Sequence, residues 1–379
     1  MPPHGGDARL VQPMHTVAGG SGLNTATHLS SLLRHFWTND SKDNLRTSNV
    51  NFQTVINEND EHGKLIASHC NRHQFMLINR RLAKYRGCYL GTNQAVLQSQ
   101  KGAKSTGHCA VIVSNGDRSF MTHLGCMEDF RGSQILKKFQ DPDNKTSTQH
   151  QHVHIAGYYN IPGFWDGGLE YKLAEIRGIQ AKTNHRTTIS LVPQQDATNK
   201  WDGGLMKVLQ YIDFLILSEV EAKNITRYSC GENDGKNHSD FFQHVAKFFR
   251  KNSRTYIIVT RGPKGACAFY DGEMVHDQET VLEIDNPTDP TGAGDAFAAG
   301  FLHGYLSYRA ESKDKVDCVI TTEAVKAGMQ WACAAGTCSI MVQGASVPPK
   351  KEIIELMLNK IIVRGLNEKN WAGRCRVAE

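Results

Sequence analysis

Three short apolar runs, each preceded by a stretch of helical length, constrain this chain more than any other feature. The runs are TTISLV at 187–192, DFLIL at 213–217 and TYIIVT at 255–260, and the helical stretches fall near 167–180, 203–211 and 239–251. Repeated β–α units of this length predict a mostly parallel sheet covered by helices on both faces. An antiparallel-looking pair follows at 266–270 and 273–275, and helices are expected at 293–307, 321–336 and near 350–362. The expected architecture is a three-layer α/β/α fold.

The first half departs from this rhythm. Ala26, Leu29, Leu32, Leu33 and Phe36 form one stripe, so a helix is predicted over Thr25–Phe36. A polar loop (37–51), a strand (Phe52–Ile56) and a helix from Glu61 to about Met76 come next. Cys109–Ser114 and Arg118–Thr122 are β-like runs joined through Asn115-Gly116-Asp117, a strong hairpin signal. That hairpin does not fit the β–α alternation and predicts a small separate sheet. A strand is expected at Val153–Tyr158. Residues 1–15 are polar and Pro/Gly-rich, and they read as a disordered tail.

At 379 residues and 42.1 kDa the chain can bury a large core. Lys+Arg 43 against Asp+Glu 38 leaves only +5 over the whole length, which argues against nucleic acid or an anionic membrane as partner. No apolar run approaches membrane-spanning length and no secretory leader is visible, so a soluble cytoplasmic protein is expected. Ten cysteines stand without a C-x-x-C pair, which excludes a zinc ribbon or a thioredoxin-like site. LQSQKGAKST lacks the Gly-Lys adjacency of a phosphate-binding P-loop. His150, His152 and His154 alternate to one strand face and read as a solvated strand entry rather than a metal site. Arg80-Arg81 and Lys137-Lys138 read as solvated helix faces.

The most informative segment is DNPTDPTGAGDAFAAGFLHGYL, from Asp285 to Leu306. Pro287 and Pro290 end regular structure, and Gly292-Ala293-Gly294 then allows a tight turn with its N–H groups exposed. Phe297, Phe301 and Tyr305 recur at helical spacing, so the glycines stand at a helix N-terminus, where free N–H groups and the dipole attract anions. Asp295 lies in that first turn. A carboxylate beside an anion-binding turn is what phosphoryl transfer to an alcohol requires. The same residues also make an ordinary Gly-rich strand-to-helix turn with Asp295 as a cap.

DPTGAGDAFAAGFL resembles the C-terminal motif of the ribokinase-like (PfkB) carbohydrate and nucleoside kinases. AGGSGLNTATHLSSLL is similar to their Gly-Gly-x-x-x-Asn motif, NENDEHGKLI to a D-x-x-G turn, TGHCAVIVSNGDRSFMTHLG to a lid hairpin, and VTRGPKGACAF to a nucleotide loop. The matches keep their order from about residue 17 to 350. The resemblance implies a ribokinase-like fold with a kinase core (16–85 and 127–379) and a small β lid (86–126). It implies ATP-dependent phosphorylation of a sugar's primary hydroxyl, or of a nucleoside as in adenosine kinases. Asp295 would be the general base, and the amides of Gly292, Ala293 and Gly294 the anion hole. Gly19, Gly20 and Asn24 would contact the acceptor, and Glu221, Thr260, Gly262 and Gly265 would border the nucleotide. Asp289 and Thr291 match positions of a monovalent-cation site (K+), and Glu221 would hold Mg2+ through water. Family lids sometimes pair between subunits, so a homodimer through the lid is allowed.

Three departures qualify these implications. Ser218 stands where the family's N-x-x-E motif has Asn, and Val192 where a strand-end Asp is frequent. Family members also begin with a strand that carries an Asp toward the sugar, whereas Gly19-Gly20 arrives almost at once here and Asp7 is the sole preceding carboxylate. The expectation is a truncated product or a variant with weak acceptor binding, or a catalytically impaired nucleotide-binding protein, with the nucleotide side preserved.

Overall fold

The computed structural model describes residues 13–36, 50–79, 104–114, 117–135, 151–182, 187–229, 238–250, 254–279, 284, 287–311 and 319–375. In chain order these hold α1 (Ser21–Phe36), β1 (Asn51–Thr54), α2 (Glu61–Arg72), β2 (Met76–Asn79) and the hairpin β3 (His108–Ser114) and β4 (Asp117–His123). Then come β5 (Gln151–Ala156), α3 (Gly168–Lys182), β6 (Thr187–Val192), α4 (Leu205–Leu209), β7 (Phe214–Ser218), α5 (Glu219–Thr226), α6 (His238–Phe249) and β8 (Tyr256–Thr260). The chain closes with β9 (Ala266–Tyr270), β10 (Glu273–Gln278), α7 (Ala293–Glu311), α8 (Thr322–Ser339) and α9 (Lys351–Cys375).

Six strands form one sheet in the order β10-β9-β8-β7-β6-β5. β5 to β8 are parallel, while β9 and β10 add antiparallel neighbours at one edge. The central strands are apolar throughout because both of their faces are covered, as parallel sheets require. Their period of two divides the core in half. Leu215, Leu217, Ile257 and Val259 pack beneath α3, α5 and α6, whereas Phe214, Ile216, Tyr256 and Ile258 pack beneath α7, α8 and α9. β1 and β2 form a separate parallel pair, and β3 and β4 a separate antiparallel one. The chain therefore has the three-layer α/β/α arrangement expected.

Several local expectations are corrected. α1 starts at Ser21, because a polar first turn precedes its apolar stripe. α2 stops at Arg72, short of the expected end near Met76; Gln74 adopts a left-handed backbone, and Met76 instead opens a strand, Met76–Asn79, that was not expected. β5 runs from Gln151 to Ala156 and ends at the left-handed Gly157. His152 and His154 are not solvated: on β6, the Thr188 and Ser190 hydroxyls bond His152 and the Ser190 hydroxyl also bonds His154, each at 2.7 Å. Desolvation pushes the His154 imidazole down to about 4 and that of His152 well below its ordinary value. Among the described residues no His/Cys/Asp/Glu group could hold a metal. His150, the basic pairs and the Asn115-Gly116 turn lie outside the described residues, as does most of the N-terminal tail.

α7 and α8 approach closely at two glycines. A Cβ added at Gly300 would lie 2.5 Å from the Trp331 carbonyl oxygen, and one at Gly304 would lie 2.6 Å from that of Ala327. Both neighbours are backbone, which cannot swing away. Gly300→Ala gains up to ~1 kcal/mol of helix propensity but forces a helix displacement costing about 1–3 kcal/mol. We expect a net loss of stability, read as a lower urea midpoint at unchanged m-value.

Candidate active site

The N-termini of α1 and α7, far apart in sequence, meet over one carboxylate. Asp295 lies in the first turn of α7 and is 9% exposed. Ser21 Oγ donates to its Oδ1 at 2.7 Å, and Asn24 Nδ2 donates to its Oδ2 at 2.8 Å. Thr25 Oγ1 adds a longer bond, 3.4 Å, to the Asp295 carbonyl. Burial pushes the Asp295 carboxyl up to about 6; the two donors oppose that rise and the charge of Glu221 adds to it.

The turn before α7 presents open backbone at a helix N-terminus. Gly292 is left-handed (φ 81°), and a Cβ there would lie 2.7 Å from the Ala345 carbonyl oxygen. Nothing lies within 4 Å of a Cβ built on Gly294, so its backbone faces open space. The Gly294 amide is a first-turn donor without an intrahelical partner, whereas Ala293 N–H makes a long 3.4 Å bond to the Pro290 carbonyl. Asp289 braces the turn: its Oδ1 accepts from Thr291 N–H at 2.9 Å and its Oδ2 from Gly344 N–H at 3.0 Å.

On the α1 side, Gly20 adopts φ 105° with open space beside it and supplies the carbonyl that opens the helix, 2.9 Å from Asn24 N. Asn24 is 5% exposed; its Nδ2 points to Asp295, and its Oδ1 is buried without a partner. A buried lone acceptor is costly unless something donates to it. Gly19 stands next to it: a Cβ there would be 4.0 Å from that oxygen.

Residues 93–352, more than half of the chain, match the pfkB family of carbohydrate kinases. The chain belongs to that family. Curated relatives include the adenosine kinase of Dictyostelium discoideum, 24% identical over 61% of this chain and 69% of the relative. Others are adenosine kinase of Schizosaccharomyces pombe (26%, covering 52% and 56%) and adenosine kinase 1 of Arabidopsis thaliana (27%, covering 66% and 66%). The matches thus span between just over half and about two thirds of the relatives' own lengths. Solved structures of the same fold include ribokinase from Giardia lamblia, with TM-score 0.65, 16% identity and 92% and 93% of the two chains covered. Arabidopsis thaliana ribokinase, solved with ribose and ATP, has TM-score 0.57, 20% identity and 94% and 92% coverage.

The other candidate positions lie at strand ends or at the turns and helix starts that follow strands. Glu221, in the first turn of α5, is clasped in a capping box: Ser218 N–H donates to Glu221 Oε2 at 2.6 Å and Glu221 N–H to Ser218 Oγ at 3.2 Å. Burial raises the Glu221 carboxyl, against the Ser218 hydrogen bonds. Thr260 ends β8, and Gly262 and Gly265, both at positive φ, frame a 3₁₀ turn. Asp60 of the D-x-x-G turn caps α2 through Gly63 N–H (2.7 Å) and anchors the hairpin's root through Thr106 N–H (2.6 Å). The structure therefore brings Gly20, Asn24, Gly294 and Asp295 together, with Glu221 close enough to act on Asp295 electrostatically. Ser21 was missed by sequence reasoning; its only signal was a hydroxyl at the first position after Gly-Gly.

The buried carboxylate makes a checkable demand on stability. Its folded pKa lies above the ordinary value of 3.8, so between about pH 4 and 6 the native state binds the extra proton, and stability falls as pH rises through that window. Asp295→Asn removes the cost, and the Asn24 amide can flip so that its lone Oδ1 accepts from the new NH2. We expect the variant to melt above wild type at pH 7–8 and the difference to close below pH 4, followed by calorimetry.

Proposed function

We propose that this protein transfers the γ-phosphoryl group of ATP to a primary hydroxyl of a sugar, with Asp295 as general base. The observation that carries this reading is a buried carboxylate, its pKa raised to about 6, held at the junction of two helix N-termini beside an open glycine backbone. A base that titrates near neutral pH can be ionised at rest and still accept a proton as the hydroxyl attacks. The Gly292, Ala293 and Gly294 turn offers donors to charge developing on the transferring phosphoryl. Of these, Gly294 has the freest amide, and Ala293 would have to exchange its long turn bond.

Asn24 and Gly20 supply the acceptor side. Asn24 Nδ2 is engaged with Asp295 and its Oδ1 is buried without a partner, so an acceptor that brings a donor to that atom, as a sugar hydroxyl does, would satisfy it. Gly19 and Gly20 leave the backbone open to close approach. On the nucleotide side Glu221, Thr260, Gly262 and Gly265 would border the cofactor. A magnesium ion, when bound, neutralises phosphate charge, and the Glu221 carboxylate would hold it through water. Asp289 and Thr291 would belong to a potassium site, with the Asp289 carboxylate already oriented by two N–H donors. The hairpin's Val111 and Phe120, directly opposite one another and 42% and 57% exposed, support a lid that closes on the acceptor or pairs with a second subunit. A cytoplasmic setting belongs to the same reading.

A second reading is an adenosine-type nucleoside kinase, favoured by the curated relatives named adenosine kinase. Its reacting group, a primary hydroxyl on ribose, would meet the same base. A coupled ADP-release screen over pentoses, hexoses, sugar phosphates and nucleosides, with magnesium and potassium present, separates the two. Turnover with one class is expected, and Asp295→Asn should reduce it by about 10²–10⁴-fold while nucleotide affinity stays within a few-fold. ATP binding without transfer to any acceptor would instead indicate a catalytically impaired protein.

Ser21 offers a finer test. Its hydroxyl favours the ionised form of Asp295, so removing it should raise the base's pKa further. Ser21→Ala is expected to move the acid limb of the kcat–pH profile upward by up to about one unit, since a hydrogen bond to a charged group has roughly that worth. Ser21→Thr should restore it. An unmoved acid limb in Ser21→Ala would show that this hydroxyl does not tune the base.

A further inference from the structure

The three residues Gly344–Ser346, between α8 and α9, each bond a different part of the candidate site. Gly344 N–H donates to Asp289 Oδ2 at 3.0 Å. The Ala345 carbonyl lies 3.0 Å from His28 Nε2, and Ser346 Oγ donates to the Ala18 carbonyl at 2.8 Å. Ala345 also covers Gly292 so closely that an added Cβ there would meet its oxygen at 2.7 Å and its own Cβ at 2.8 Å. This strap is thus wedged between the turn that precedes α7 and the segment that opens α1.

His28 is the bond from the strap to a helix. It lies one turn beyond Asn24 on α1 and is 3% exposed. A carbonyl can only accept, so the imidazole must carry its proton on Nε2. Burial holds the ring down at about 4, with the Ala345 carbonyl opposing and His73 adding to the fall, so it stays neutral through the ordinary range. A neutral donor in a dry site makes a bond that water does not contest.

We propose that His28 is a positioning residue: by holding the Ala345 carbonyl it seats the strap on Gly292, and so fixes the anion turn and Asp295 relative to Ser21 and Asn24. Among the described residues its side chain has a hydrogen bond to the Ala345 carbonyl and none to Asp295. The inference rests on the phosphotransferase reading for its kinetic consequence but not for its structural one.

Three variants test it: His28→Leu keeps the bulk without the donor, His28→Gln keeps a donor at similar reach, and Ser346→Ala cuts the strap's other tie to the α1 side. Each is followed by kcat, acceptor KM, melting temperature and hydrogen exchange of the 340–346 backbone. His28→Leu is expected to lower kcat by about tenfold to a hundredfold with acceptor KM changed less than about threefold, since misplacement of reacting groups costs rate more than binding. His28→Gln should recover most of that loss, and Ser346→Ala should fall between. Wild-type kcat in His28→Leu, or a Gln variant as slow as the Leu one, overturns the proposal. If the Leu variant does not fold, wild-type kcat in Ser346→Ala does the same. Should the wild type transfer to no acceptor, the phosphotransferase reading fails by itself. Exchange then decides for the strap, because unchanged protection of 340–346 in all three variants overturns the inference whatever the activity.

Discussion

The arrangement of this molecule depends on the cost of keeping one carboxylate dry. Asp295 is bound by donors from residues 274 and 271 positions earlier, so the start of α1 and the start of α7 can meet only if the whole sheet between them is built. The two helix dipoles favour the charged form and burial disfavours it. The net result is a carboxyl near 6, which is neither a structural ion pair nor an inert acid. Close contact between α7 and α8, through Gly300 and Gly304, fixes where α7 points. The continuous apolar strands β6 to β8 supply the platform on which α7 and α8 rest.

What was legible in the sequence was the part encoded locally. TTISLV, FLILS and YIIVT are strands because no other short element is apolar on both faces, and their bounds were read to within a residue or so. The turn from Pro287 to Asp295 announced itself through proline and glycine, whose backbone limits are intrinsic. The strand Met76–Asn79 was not legible, because the helical pattern reads on to about Met76, past the left-handed Gln74 that breaks it. His152 and His154 were misread for a related reason. Alternation places them on one face, but only the neighbouring strand reveals that Thr188 and Ser190 wait there to bond them.

The site divides in the same way. Asp295, Gly294, Gly20 and Asn24 carry motif signatures, since each needs a particular residue type at a fixed offset. Ser21 and the strap carry none. Serine at a helix start has an ordinary explanation as a cap, and Gly344-Ala345-Ser346 reads as a loop. Their meaning lies in contacts across more than 270 residues, which spacing along the chain cannot express.

The two departures on the phosphate side differ in consequence. Serine caps a helix about as well as asparagine, and Ser218 does so here, so Glu221 remains clasped at the start of α5 despite the replacement. The longer amide that could have reached past the cap is gone, and at Val192 a polar group gives way to an apolar one that packs against the core. The Glu221 charge raises the Asp295 carboxyl, and the coupling between two such groups is reciprocal. Any positive charge brought to Glu221 relieves Asp295 and favours its ionised form. On the proposed reading, in which Asp295 is the base and Glu221 faces the phosphates, a cation held at Glu221 would favour the ionised base.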